Sequence, residues 1–209
     1  MSLRNLFDDL DLEALGMPSF ELFFEKYITI NDLKWDLYRQ GKITKQGLRE
    51  SRFQETFAHF GVKADDVAWT LETRYIDETP YQNHLIDGAR EMLETLKARG
   101  YCMHIITNGF HESQNIKFAE SGLEPLFDVL LCSDQVGVNK PDAKIFRRAL
   151  QLAGADRKDS LMIGDNLIAD CVGAREQGID QVFFNPKRIK HTEKVTYEIE
   201  DLKELLGIV

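Results

Sequence analysis

Gly164-Asp165-Asn166-Leu167-Ile168-Ala169-Asp170 places two carboxylates five positions apart, directly after the apolar run Leu161-Met162-Ile163. Open α/β sheets bind ligands outside the carboxyl ends of their strands. A strand that ends in Gly-Asp, with a second acid at the mouth of the next helix, gathers oxygen donors there. Such donors suit a hard cation such as Mg²⁺. The plainer alternative is that Asp165 caps the helix that follows it. Two more strand ends carry polar groups. The β-rich run from Tyr101 to Ile106 stops at Thr107-Asn108-Gly109. Its hydroxyl and turn amides could hold a phosphate oxygen, or the segment could be an ordinary turn. A third strand, Phe127 to Ser133, leads into Gly137-Val138-Asn139-Lys140-Pro141. A lysine fixed there can neutralise charge on a phosphoryl group or a metal-bound carboxylate. The alternative is a solvated loop lysine.

Taken in order, Thr107, then Lys140-Pro141, then Gly164-Asp165 with Asp170 resemble motifs II, III and IV of the haloacid dehalogenase (HAD) superfamily. The resemblance runs from about Gly88 to the C-terminus. Thr107-Asn108-Gly109-Phe110, Gly137-Val138-Asn139-Lys140-Pro141 and Gly164-Asp165-Asn166 are similar more narrowly to pyrimidine-nucleotidase-like phosphatases with a helical cap. The resemblance implies that Thr107, with Asn108 and Gly109, binds the phosphoryl group. It implies that Lys140 steadies the nucleophile and the phosphate, and that Asp165 binds Mg²⁺. Asp170 would bind the metal directly or stand one step behind it. The implied activity is Mg²⁺-dependent hydrolysis of small phosphate monoesters, nucleoside monophosphates among them, through an aspartyl-phosphate intermediate. The dehalogenase branch, which needs no metal, typically lacks such an acidic pair.

In that superfamily an Asp-x-Asp at the end of the first strand supplies the nucleophile and the general acid and base. The comparable spacing here is Asp9-Leu10-Asp11. A strand leading into it would place charged Asp8 inside a sheet buried on both faces. Leu3, Leu6, Phe7 and Leu10 instead follow the i, i+3, i+4, i+7 spacing of one helix face, with Ser2 placed as a cap. Asp9 and Asp11 therefore read as exposed helix residues, and motif I is not found. The family's first strand lies mid-sheet, between the strands that end at Asp165 and Thr107. Without it, two inner edges are left with unpaired backbone groups. Closure of the gap, filling by another segment, or a strand from a second molecule would each relieve them. Closure would shift the flanking helices by about 4.8 Å. The expectation is reduced stability and self-association, with the three motifs still clustered. A second reading of function is a catalytically inactive phosphate-binding or interaction protein.

The elements needed to position these residues fall into two regions. Residues 1–82 read as a helical cap: a helix from Phe20 past Tyr38 to Gly41, one from Thr44 to His59, and one after Lys63. Residues 83–209 alternate helix and strand, which calls for a doubly covered parallel α/β sheet. Its helices are Ala89 to Arg99, Phe110 to Glu120, Ala143 to Leu152 and Asn166 to Gln177. A further strand is Gln181 to Phe184, and a last short helix is Asp201 to Leu206. At 209 residues a core is readily buried, and the net charge of −9 disfavours nucleic acid and anionic membrane as partners. A small phosphorylated metabolite is the expected partner. Cys102, Cys132 and Cys171 form no C-x-x-C and suit a reducing compartment. With no apolar run of membrane-spanning length, the cytoplasm is the expected location.

Overall fold

The computed structural model describes residues 2–209, which divide into two compact units with the boundary between Gln82 and Asn83. The first is all helical: α1 (Ser2–Asp9), α2 (Phe20–Arg39), α3 (Lys45–His59) and α4 (Asp65–Glu78). Ser2 is the first residue of α1, and the cap expected of its side chain lies outside the described residues. Leu3, Leu6 and Phe7 point into a core shared with Phe23, Phe53, Phe57 and Leu71, so the period-3.6 reading of this segment holds. Thr44 caps α3 by accepting from the Gly47 N–H at 3.0 Å. Inside the bundle, the Arg52 guanidinium forks onto Glu72 at 2.7 and 2.8 Å, and lies 4.9 Å from the Tyr75 ring centroid. Burial works against the Arg52 charge, but the Glu72 carboxylate outweighs it and raises the guanidinium pKa.

The second unit runs α5 (Ala89–Ala98), β1 (His104–Thr107), α6 (His111–Ser121), β2 (Val129–Cys132), α7 (Ser133–Val136), α8 (Ala143–Ala153) and β3 (Leu161–Gly164). A π-helical turn, Leu167–Val172, continues into α9 (Gly173–Glu176), followed by β4 (Asp180–Phe184), β5 (Tyr197–Ile199) and a 3₁₀ segment, Leu202–Gly207. The strands are shorter than the sequence suggests at Tyr101 and Phe127, and the helix expected from Asn166 opens as a wide π turn. β5 has three residues, too few to show a period, and escaped the sequence reading.

All pairings are parallel. His104 to Thr107 face Val129 to Cys132, Leu161 to Gly164 face Asp180 to Phe183, and Val182 to Phe184 face Tyr197 to Ile199. They form two sheets, β1–β2 and β3–β4–β5, so β1 and β3 are not hydrogen-bonded to each other. The gap expected between them has not closed, and among the described residues no other strand pairs with either inner edge. Two apolar layers hold the pieces together. One gathers Met92, Leu96, Met103, Val182, Ile199 and Leu205, with Leu161 and Phe127 against it. The other gathers Leu131, Ile145, Phe146 and Ala174, with Ile106 and Met162 against it. Neighbours Leu161 and Met162 thus enter different cores, as alternation along a strand requires.

Candidate functional site

Thr107, Asn108, Gly109 and Asp165 stand at or directly beyond the ends of β1 and β3, Asp170 lies in the π turn after β3, and Lys140 lies in the loop between α7 and α8. Thr107 ends β1, and its Oγ1 accepts from the Gly109 N–H at 2.9 Å, which closes the turn on itself. The Asn108 side chain does not face outward alone. Its Oδ1 accepts from the Lys140 N–H at 2.7 Å and its Nδ2 donates to the Lys140 carbonyl at 3.0 Å. This amide clamp fixes the Lys140 backbone to the β1 turn, a positioning role that residue type alone did not reveal. Asp142, two residues on, caps α8 by accepting from the Lys144 N–H at 2.7 Å.

Held this way, Lys140 is not a solvated loop lysine. It is 8% exposed, and its Nζ donates to the Ile106 carbonyl at 2.7 Å and lies 2.7 Å from Asp170 Oδ1. Asp170 is 4% exposed. Its Oδ2 accepts from the Asn166 N–H at 3.1 Å, while Oδ1, for all its proximity to Lys140, accepts no well-aligned hydrogen bond. The side chain lies across the end of β3. A Cβ built on Gly164 would come within 2.2 Å of Asp170 Oδ2, so only glycine admits it there. The wide π turn that carries Asp170 is a form frequently found at functional sites.

The capping question is settled by Asn166, whose Oδ1 accepts from the Ala169 N–H at 2.8 Å. An Asx residue three positions before the amide it receives is the sequence signal of an N-cap, and it was open to reading at Asn166. Asp165 is therefore released from capping. It is exposed and makes no hydrogen bond or ion pair among the described residues. Asp165 and Asp170 offer a hard cation oxygen donors of two kinds, one carboxylate exposed and unengaged and one buried and ion-paired to Lys140. No group of three or more acidic, histidine or cysteine side chains gathers among the described residues. Mg²⁺ commonly keeps several waters and takes one or two carboxylates plus phosphate oxygens, so the pair fits it. Lys140 already stands on Asp170 Oδ1, which leaves Asp165 as the freer ligand.

Asp9 and Asp11 lie elsewhere. Asp9 ends α1 and its Oδ2 accepts from Arg74 Nη2 of α4 at 2.9 Å, and Asp11 sits in a turn at φ 45°. Neither stands at a strand end. His104 lies half-buried on β1, and His111 starts α6, where its N–H donates to Asp134 Oδ2 at 2.9 Å.

Residues 15–178 match the family model of haloacid dehalogenase-like hydrolases. Pyrimidine 5′-nucleotidase PynA of Streptococcus pneumoniae is 34% identical over 198 residues, 93% of this chain and 83% of that protein. Pyrimidine 5′-nucleotidase YjjG of Escherichia coli is 31% identical over 185 residues, 87% of this chain and 80% of its own length. Among solved structures, magnesium-bound YfnB of Bacillus subtilis superposes with a TM-score of 0.87 at 30% identity, covering 99% of this chain and 88% of that one. A family model spanning residues 15–178 and a relative 34% identical over 93% of this chain agree: the chain belongs to the haloacid dehalogenase-like hydrolases.

Proposed function

We propose that the α/β unit forms the phosphate- and cation-holding part of a Mg²⁺-dependent phosphatase site for small phosphate monoesters, with pyrimidine nucleoside monophosphates the first class to test. The observation that carries this is the buried Lys140, clamped by Asn108 and set between β1 and Asp170. A buried ammonium beside a strand-end turn and two carboxylates is arranged for charge that develops on a transferring phosphoryl group. The names of PynA and YjjG support the nucleotide, and the magnesium in YfnB supports the cation. Thr107 and the Gly109 turn would receive phosphate oxygens, and Lys140 would hold their charge. Mg²⁺, on Asp165 with Asp170 behind it, would supply Lewis-acid stabilisation of the phosphoryl oxygens.

The aspartyl nucleophile that the family resemblance implies is not at a strand end among the described residues, because Asp9 and Asp11 are helix and turn residues. Without such an aspartate, the residues described would bind phosphate monoesters without turning them over. That makes the non-catalytic phosphate-binding protein the second reading, favoured by this one feature. Calorimetric titration of uridine monophosphate with and without Mg²⁺ tests the binding. The expected result is Mg²⁺-dependent binding weakened about tenfold or more in Lys140→Ala and in Asp165→Asn. Binding unchanged in both variants sinks the site. Hydrolysis of p-nitrophenyl phosphate should be no faster than in Lys140→Ala, and Mg²⁺-dependent turnover lost in Asp9→Asn would restore Asp9 as nucleophile.

A further inference from the structure

The turn after β1 keeps several of its donors for itself. The Gly109 N–H is spent on Thr107 Oγ1 at 2.9 Å, and both ends of the Asn108 side-chain amide are spent on the Lys140 backbone. The first amide of α6, that of His111, donates to the Asp134 carboxylate at 2.9 Å. A carboxylate of the chain itself thus holds the helix end to which an anion would otherwise be drawn. One side chain in the same place is not engaged. Gln114 is the fourth residue of α6, and helical side chains lean back toward the N-terminus over the preceding turn. It is half-buried there, and its carboxamide makes no hydrogen bond among the described residues. A Cβ built on Gly109 would lie 2.5 Å from Gln114 Nε2, 2.7 Å from its Cδ and 2.9 Å from its Cγ. Gly109 has no positive φ, so glycine supplies space here and not backbone freedom. The end of the Gln114 side chain fills that space.

We propose that Gln114 is a phosphate-binding residue, whose Nε2 donates to an oxygen of the phosphoryl group held at the β1 turn, and that Gly109 is the room it needs. This role rests on the phosphatase-site reading above. It supplies the side-chain amide donor that Asn108, committed to Lys140, does not provide. Nε2, and not Oε1, is the carboxamide atom nearest the turn glycine, which is the polarity an anion requires. A carboxamide nitrogen carries two N–H donors and no charge. It can therefore serve the phosphate beside the Lys140 ammonium without repelling it.

Inorganic phosphate and uridine monophosphate, each with Mg²⁺, are titrated by calorimetry against the full chain and its variants. Gln114→Ala should weaken both ligands about tenfold or more, the loss of a hydrogen bond to a charged group. Equal loss for the two ligands puts the contact on the phosphate. Gly109→Ala, which expels the Gln114 side chain, should lose as much as Gln114→Ala. The double variant should lose no more than either single one, since both remove one contact. Gln114→Glu, which sets a carboxylate against the phosphate, should lose more than Gln114→Ala. A loss confined to uridine monophosphate overturns the assignment, as does full additivity of Gly109→Ala and Gln114→Ala. Native affinity in Gln114→Ala, with binding still weakened in Lys140→Ala, overturns the role of Gln114 and leaves the site standing. No binding by the native chain, or binding indifferent to Lys140→Ala, overturns the site and Gln114 with it. A folding defect would also lower affinity, so the side-chain amide resonances of the ¹⁵N-labelled native chain give a second readout. The pair absent from Gln114→Ala should shift on addition of inorganic phosphate, and a pair that does not move refutes the contact.

Discussion

Gly164→Ala isolates the contact on which the site geometry depends. Gly164 does not have a positive φ, so the substitution tests space and not backbone conformation. The added Cβ would lie 2.2 Å from Asp170 Oδ2 and 2.5 Å from both its Cβ and Cγ. Because the clash includes the root of the side chain, rotating its end does not relieve it. Ordinary contact begins near 3.4 Å, so Oδ2 must retreat by about 1.2 Å. That displacement breaks the 3.1 Å bond from the Asn166 N–H and strains the 2.7 Å approach to Lys140. Losing a hydrogen bond to a charged group costs about 1.5–3 kcal/mol. Overpacking adds about 1–3 kcal/mol. Together they put the expected loss at about 2.5–6 kcal/mol in the stability of the α/β unit. Urea unfolding followed by hydrogen exchange in β3 and β4 reads this unit alone, so the helical unit's transition does not enter. Gly207→Ala is the control, since a Cβ there meets nothing within 4 Å. A loss below about 0.5 kcal/mol in Gly164→Ala, the range of neutral surface changes, would refute the packing of Asp170 over β3.

In the helical unit, Arg52→Met removes the fork from Glu72, which is 2% exposed. Thermal unfolding should show a loss of about 3–5 kcal/mol. The pair Arg52→Met with Glu72→Leu should recover part of it, and an additive double variant would show that the ion pair is not coupled. The thiols give a second measurement. Cys102 is exposed whereas Cys132 and Cys171 are buried, so brief treatment of the folded chain with an aromatic disulfide should yield one adduct by mass spectrometry, on Cys102. Burial, with neighbouring acids behind it, pushes the Cys132 thiol up to about 11 and the Cys171 thiol up to about 12, from 9.0. A raised thiol pKa in the fold favours the protonated form, so its stabilisation is complete below pH 9 and is lost as pH rises toward 12. Urea midpoints should fall across that window, and Cys171→Ala should flatten the decline. A decline of the same slope in the variant would assign it to other groups.

Local patterns decided much of this protein. The 3.6-residue apolar spacing of Leu3, Leu6, Phe7 and Leu10 was enough to make the N-terminal segment a helix and to take Asp9 away from any strand end. Alternating helices and β-rich runs, punctuated by glycines, determined a parallel α/β unit and put Thr107 and Asp165 at its strand ends and Lys140 in the loop before α8. Those features lie within a few residues of one another, where period, caps and turn chemistry act. Other assignments needed the tertiary structure. Asn108 and Lys140 are 32 residues apart, and nothing in either residue's neighbours says that one clamps the other's backbone. Asn166, not Asp165, took the cap, which freed a carboxylate that residue type would equally have spent. Asp170 folded back over Gly164 because the chain makes a wide turn there, a choice of helix type that apolar period does not encode. The state of the sheet was decided last. Propensity makes strands of β1 and β3, but pairing is a contact between distant segments, and only the sheet topology shows that these two are not hydrogen-bonded to each other.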